Sequence, residues 1–291
     1  MNVIDSFRLN GRTAIVTGGA GRYGKQIVAA LAEAGATVFI ASRNLEKLEE
    51  TSAMFRAEKL DVRALRLELG DTASCDKLVE SIMAQTGRID VLVNNSVTRC
   101  GCGGGWKKPL DTYDASFHVN ASGTFYLTAA VGEVMKQRRS GSIINIGSFM
   151  GLVGPEFANY AGTDMKGNPN PIYFYEKGGL ANFTRWAASV LGEYGVRVNA
   201  IHPGGLWEPH LPEAFVKNYS ARTQLGRLAG QEDLKGIVVF LASDASGYLT
   251  GTNIPVDGGY TAKSPPAPPN RHKKGCRSAA FFSCVRRTFD Q

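Results

Sequence analysis

Residues 13–41 read TAIVTGGAGRYGKQIVAALAEAGATVFIA. The run 13–17 is short, apolar and rich in β-branched residues, as a buried strand requires. Glycines follow at Gly18, Gly21 and Gly24, and then Ile27, Val28, Leu31 and Ala32 recur on one face of a helix. Gly35 stands where a helix C-terminal glycine belongs, and 37–41 is a second apolar run. Strand, glycines, helix and strand in about thirty residues form a β-α-β unit. In that setting the glycines permit a tight turn and let a pyrophosphate approach the N-terminus of the following helix. Gly18, Gly21, Arg22, Tyr23 and Gly24 are therefore the expected dinucleotide contacts.

The alternation continues outward from this unit. The sequence predicts helices over 44–59, 72–85, 112–138, 172–191 and 231–242. Strands are predicted over 62–67, 91–93, 142–146, 196–201 and 252–256. The glycine-rich stretch 100–108 fits no element. Strands alternating with helices throughout imply an α/β fold: a single-domain, Rossmann-type doubly wound parallel sheet with helices on both faces. No composition break divides 1–263, which is assigned to one dinucleotide-binding domain. After it, Ser264-Pro-Pro-Ala-Pro-Pro269 interrupts regular structure, and 264–291 is expected to be a disordered, Pro-rich basic tail.

Composition narrows the function. Of 291 residues, 43% are hydrophobic and 20% charged, which fits a soluble globular chain. Residues 1–10 carry no secretory pattern, and no apolar run approaches the roughly 20 residues of a membrane helix. A cytoplasmic protein without a membrane partner is expected. The formal net charge is +7, but the tail concentrates it in Arg271, Lys273, Lys274, Arg277, Arg286 and Arg287 against Asp290. The remainder is close to neutral, which argues against a nucleic-acid partner. Cys75, Cys100, Cys102, Cys276 and Cys284 are an odd, scattered set, read as reduced thiols rather than a disulfide framework or a metal site.

Tyr173 and Lys177 are four apart on a predicted helix, hence on one face. A neighbouring ammonium favours a phenolate, so the pair can move a proton near neutral pH. With Gly18/Gly21/Gly24, Asn94-Asn95, Asn120, Ser148, Tyr173-x-x-x-Lys177 and Pro203-Gly204 in this order, the chain resembles the short-chain dehydrogenase/reductase family over residues 8–262. The closing run 249–259, LTGTNIPVDGG, is also similar to that family's last strand. The resemblance implies Tyr173 as general acid in reduction and base in oxidation, with Lys177 tuning it and holding the nicotinamide ribose. It implies that Ser148 bonds the substrate oxygen and that Asn120 holds a water leading from Lys177 to solvent. It places Asn94, Pro203 and Gly204 beside the cofactor, and it implies a homo-oligomer.

The chain departs from the family pattern at three places. Arg22 replaces the middle glycine of the loop. Between Ser148 and Tyr173 lie 24 residues; Tyr160 is nearer the usual distance, but Asp164 rather than a lysine follows it by four, so Tyr173 is preferred. After Pro203-Gly204 comes Gly-Leu-Trp-Glu-Pro, without the family's frequent threonine. For the cofactor, the second strand ends Ala41-Ser42-Arg43, with no acid to accept the adenosine ribose of NAD. Arg43, with Ser42 beside it and Arg22 approaching from the other side, offers donors to a phosphate, so NADP is expected ahead of NAD.

The substrate is expected to be a small-molecule secondary alcohol or ketone. Trp106, Trp207, Phe149 and Met150 are candidates for an apolar wall, and Asn159, Asn168, Asn170 and Glu208 for hydroxyl contacts. The stretch from Ser148 to Gly179 leans toward sugar or polyol dehydrogenases similar to gluconate 5-dehydrogenases. A 3-oxoacyl-thioester reductase is the alternative enzyme. A dinucleotide-binding regulator, or a nucleic-acid binder using the basic tail, is the alternative outside catalysis.

Overall fold

The computed structural model describes residues 2–99, 107–165 and 171–262. The tail, Trp106, Asn168, Asn170 and the cysteines other than Cys75 lie outside them. The strands are β1 Thr13–Thr17, β2 Thr37–Ser42, β3 Val62–Arg66, β4 Val91–Asn94, β5 Gly141–Ile146, β6 Val196–Pro203 and β7 Asn253–Val256. They form one parallel sheet in the order β3-β2-β1-β4-β5-β6-β7. The helices are α1 Arg22–Glu33, α2 Leu45–Ala57, α3 Thr72–Thr86, α4 Leu110–Phe117, α5 Thr124–Arg138, α6 Pro171–Leu191, α7 Glu213–Arg222 and α8 Lys235–Ala242. None is long and apolar enough to cross a membrane among the described residues.

Both faces of the sheet are buried because successive strand side chains point to opposite sides. On one face Ala14, Val16, Val38, Ile40, Val91 and Val93 pack with Ile27 and Leu31 of α1 and Val238 and Leu241 of α8. On the other, Ile15, Phe39, Leu92, Ile143 and Val198 meet Leu78 of α3, Leu127 and Val131 of α5 and Leu191 of α6. Apolar residues in continuous runs, rather than in alternation with polar ones, follow from this two-sided burial.

The chain order reverses between β1 and β4, and ligands of open parallel sheets bind in the crevice beyond such a point. Here Thr17 Oγ1 accepts from the backbone N–H groups of Asn95 at 3.0 Å and Ser96 at 2.9 Å, which ties the two strand ends together.

The predicted helix 112–138 is two helices joined by a π-turn, His118–Gly123. At its end a side chain on Gly123 would clash with the Leu69 carbonyl. The predicted helix 231–242 starts only at Lys235. Just before it, Asp233 accepts from Arg227 and, at 2.6 Å, from the Gly230 N–H, which fixes a turn there. Helix α7 was not foreseen; it buries only Phe215 and Tyr219, too narrow a stripe to read as a period.

Candidate active site

The crevice is a cleft of about 870 Å³ running from the end of β2 to the start of α6. Its floor is the glycine loop. Gly18 has φ +67, in the left-handed region that favours glycine. A Cβ on Gly24 would strike the Gly18 carbonyl, so the first turn of α1 closes against the loop only without a side chain there. Gly21 donates to that same carbonyl at 2.9 Å. The loop and the exposed N–H groups opening α1 suit a pyrophosphate, and the elongated cleft suits the rest of a nicotinamide dinucleotide.

The other expected cofactor residues divide. Ser42, Arg43, Pro203 and Gly204 line the cleft, with Lys47 on the first turn of α2 and Glu68 and Leu69 beyond β3. Tyr23 also lines it, but its hydroxyl donates across to the Gly204 carbonyl at 2.9 Å, tying the glycine loop to the end of β6. Burial, with Asp233 next, pushes that phenol far above its ordinary pKa. Arg22, expected to share a phosphate with Arg43, instead pairs with Glu208 at 3.1 Å in the loop after β6. Asn94 does not face the cleft: it is buried and donates to Thr128 Oγ1 and Asn145 Oδ1, both at 2.9 Å. Its neighbour Asn95 lines the cleft and donates to the Thr17 and Gly18 carbonyls at 3.0 and 3.1 Å.

At the far end Pro171 opens α6, where its missing N–H costs no helical bond. Tyr173 and Lys177 then face the cleft together, with Lys177 Nζ 5.8 Å from the centre of the Tyr173 ring. Lys177 is 8% exposed and donates to the Ile146 carbonyl at 2.7 Å. Burial pushes its ammonium down to about 8; the Glu176 carboxylate opposes that fall and Arg99 adds to it. Ser148 follows β5, and its Oγ accepts from the Met150 N–H at 3.2 Å, capping a short turn while still lining the cleft.

Asn120 sits in the π-turn, where an extra residue per turn redirects a side chain. Its Oδ1 accepts from Thr98 N at 2.8 Å, and its Nδ2 donates to the Thr98 carbonyl and Glu176 Oε2, both at 2.9 Å. The side chain thus fastens the Thr98 loop to α6. Ser116 donates to the other Glu176 oxygen at 2.7 Å. The motif gave no sign of Glu176 in this role.

Tyr160 lines the cleft but belongs to an apolar cluster, its ring 5.5 Å from that of Phe215. Phe149 and Met150 line the cleft as expected, joined by Met165, Phe174 and Leu211. Asn159 turns away, buried and donating to the Tyr260 hydroxyl at 2.8 Å. Trp207 is half-exposed and is not among the lining residues.

The glycine loop and the Ser148/Tyr173/Lys177 group thus face one cleft on a seven-stranded parallel sheet. The sequence model of a family described as enoyl-(acyl carrier protein) reductase matches residues 22–261. The chain belongs to the short-chain dehydrogenase/reductase family of oxidoreductases. It is 35% identical to the 3-oxoacyl-(acyl-carrier-protein) reductase FabG of Thermotoga maritima, over 87% of this chain and 98% of that protein. It is 30% identical to the D-threitol dehydrogenase of Mycolicibacterium smegmatis, over 90% and 98% of the two chains. A solved gluconate 5-dehydrogenase of Burkholderia cenocepacia J2315, in complex with NADP and tartrate, aligns with TM-score 0.80 at 29% identity, covering 90% of this chain and 100% of that one.

Proposed function

We propose that the protein interconverts a secondary alcohol and a ketone, using Tyr173 as the proton donor and acceptor and preferring NADP. The observation that carries this reading is the meeting of Ser148, Tyr173 and a buried Lys177 in the cleft that the glycine loop opens. Gly18, Gly21 and the start of α1 would hold the pyrophosphate, and Lys177 the nicotinamide ribose. A nicotinamide dinucleotide bound there supplies or takes up the hydride at the substrate carbon. Tyr173 gives its phenolic proton to the carbonyl oxygen in reduction and takes a proton from the alcohol in oxidation. Ser148 Oγ donates to the same oxygen as negative charge grows on it. The Lys177 ammonium favours the phenolate that Tyr173 becomes. Asn120, which joins the Thr98 loop to Glu176, would hold the water that links Lys177 to solvent.

The preference for NADP is supported by Arg43 just after β2 and Lys47 on the first turn of α2, with no acid at the end of β2. The gluconate 5-dehydrogenase that this chain resembles holds NADP. A sugar or polyol substrate is supported by the likeness to the threitol and gluconate enzymes, and by Arg99, Asn95 and Glu208 in the cleft. A 3-oxoacyl thioester is the second reading, favoured by the apolar wall of Met150, Met165, Phe174, Leu211 and Phe215. Residues 1–263 form the catalytic domain in this proposal. Homo-oligomer formation is supported by Phe125, Tyr175, Trp186 and Val190, which are exposed on α5 and α6.

The test is nicotinamide absorbance with D-threitol, gluconate, cyclopentanol and an acetoacetyl thioester, each with NADP(H) and NAD(H). Highest kcat/KM on a polyol or sugar acid supports the first substrate reading, and highest on the thioester overturns it. If no compound turns over and neither cofactor binds, the oxidoreductase reading fails.

A further inference from the structure

His202 lies on β6, fully buried and outside the cleft lining, yet its ring is built against the backbone of Ser148. Nδ1 stands 2.9 Å from the Ser148 carbonyl oxygen and 3.3 Å from the Ser148 nitrogen. Nε2 stands 2.8 Å from Asn253 Oδ1 on β7. Asn253 is itself fixed, because its Nδ2 donates to the Ala181 carbonyl of α6 at 3.1 Å. That bond sets which end of the amide is oxygen, so Nε2 must carry a proton. With Nε2 committed to Asn253, Nδ1 is the ring atom left to hold the Ser148 backbone, and it accepts from the Ser148 N–H at 3.3 Å.

The fit is close on the other side too. A Cβ on Gly147 would stand 2.5 Å from both Cε1 and Nδ1 of His202, so the residue before Ser148 leaves room for the imidazole and nothing more. Filling this space could be done by an aliphatic side chain without the cost of burying polar nitrogens. The polar ring is matched instead by partners at both nitrogens, and one of them is the residue proposed to bond the substrate oxygen. Ser148 Oγ meanwhile accepts from Met150 N, which leaves its hydroxyl proton to donate.

We propose that His202 is a positioning residue: with Asn253 and Ala181 behind it, it fixes the Ser148 backbone so that the hydroxyl points at the reacting oxygen. This rests on the reading of Ser148 given above. Asn in place of His can keep a polar atom near the Nδ1 position, whereas Gln keeps one near Nε2, so the two substitutions separate holding Ser148 from filling the core. The full-length variants His202→Asn, His202→Gln, Asn253→Ala and Ser148→Ala would be compared in thermal melting, amide hydrogen exchange at Ser148, and steady-state kinetics with NADP(H) and the best substrate of the panel.

His202→Asn should retain slow exchange at Ser148 and near-native kcat. His202→Gln should exchange faster and lose about 10-fold or more in kcat, since a displacement of about 1 Å can cost on the order of 10²-fold. The KM for NADP(H) should be unchanged in both. Asn253→Ala, which frees the ring from behind, should lose less. Equal exchange and equal kcat in the Asn and Gln variants would overturn the proposal. Should His202→Gln fail to fold, native exchange and kcat in Asn253→Ala would overturn it instead. Ser148→Ala keeps the two ideas apart: native turnover there sinks the reading of Ser148, whereas fast exchange in His202→Gln still supports the grip itself.

Discussion

The two ends of the cleft are built differently. At the reacting end Lys177 and Ser148 are 8% and 7% exposed, and each is tied to backbone by a hydrogen bond. At the adenosine end Arg43 is exposed at the rim, and Arg22 is 53% exposed in an ion pair with Glu208. Buried groups with satisfied partners are aimed by the fold before any ligand arrives. Exposed arginines can turn toward whatever charge is present, and water screens what they gain. Changes at the first end should therefore act on kcat, and changes at the second on cofactor affinity.

The hardest test of that contrast is Tyr173. Tyr173→Phe keeps the ring on α6 and removes only the titrating proton. We expect kcat to fall by about 10²-fold or more, as lost acid–base catalysis implies, with cofactor affinity preserved. Tyr160→Phe should be far milder, because the Tyr160 ring packs on Phe215 in an apolar cluster. Kinetics on the two variants decide the matter, and a reversed order would hand the acid–base role to Tyr160.

The next effect is one of pH. Lys177 is held down from 10.5 to about 8, chiefly by burial. It is charged below that value and neutral above it, so kcat/KM for the cofactor should fall as pH rises through about 8. Stability runs the other way. Between about 8 and 10.5 the unfolded chain keeps a proton that the folded one has released, so this group's contribution rises with pH. Lys177→Met should thus raise the melting temperature more at pH 7 than at pH 10, while abolishing the kinetic limb. A limb that survives in Lys177→Met would belong to another group.

At the adenosine end the expected change is in KM. Arg43→Asp replaces the proposed hydrogen-bond donor to the NADP phosphate with an acid suited to a ribose. KM for NADP should rise about 10- to 100-fold, the equivalent of one charge-assisted hydrogen bond of about 1.5–3 kcal/mol. NAD kinetics should change little or improve. A wild-type enzyme with higher kcat/KM for NAD than for NADP would remove the basis of this expectation.

The same contrast explains what the sequence could tell. The β-α-β unit at 13–41 was legible because burial on both sheet faces writes continuous apolar runs, and the glycines mark a loop that tolerates no side chain at Gly24. Helix α6 was expected over 172–191 and begins one residue earlier, at Pro171. What stayed hidden was direction and distant pairing. Asn94 and Asn95 are adjacent, and successive strand residues face opposite ways, so the sequence alone did not say which one turns into the core. Arg22 meets Glu208, and Ser148 meets His202, across separations that leave no local period. The π-turn at Asn120 is one extra residue in an otherwise helical pattern, invisible to a period of 3.6.

The smallest effect we expect tests the Arg22–Glu208 pair, which ties the adenosine end to the loop after β6. Glu208 is 18% exposed and lies 3.1 Å from Arg22 and 3.6 Å from His210. In the proposed cofactor complex its carboxylate would compete with the phosphate for the Arg22 guanidinium. With Arg22 largely in solvent, the pair contributes no more than about 1 kcal/mol, hence at most about fivefold in affinity. Glu208→Gln keeps the shape and removes the competing charge, so KM for NADP should fall by no more than that factor. Arg22→Gln should raise it by a similar amount, and the double variant should resemble Arg22→Gln, because Glu208 then has no arginine to hold back. Raised salt should shrink all three differences, as screening of exposed charge requires. If Glu208→Gln instead lowers kcat and leaves KM for NADP untouched, Glu208 acts on the substrate, and the division between an aimed end and an adaptable end must be redrawn to put the loop after β6 with Ser148 and Tyr173.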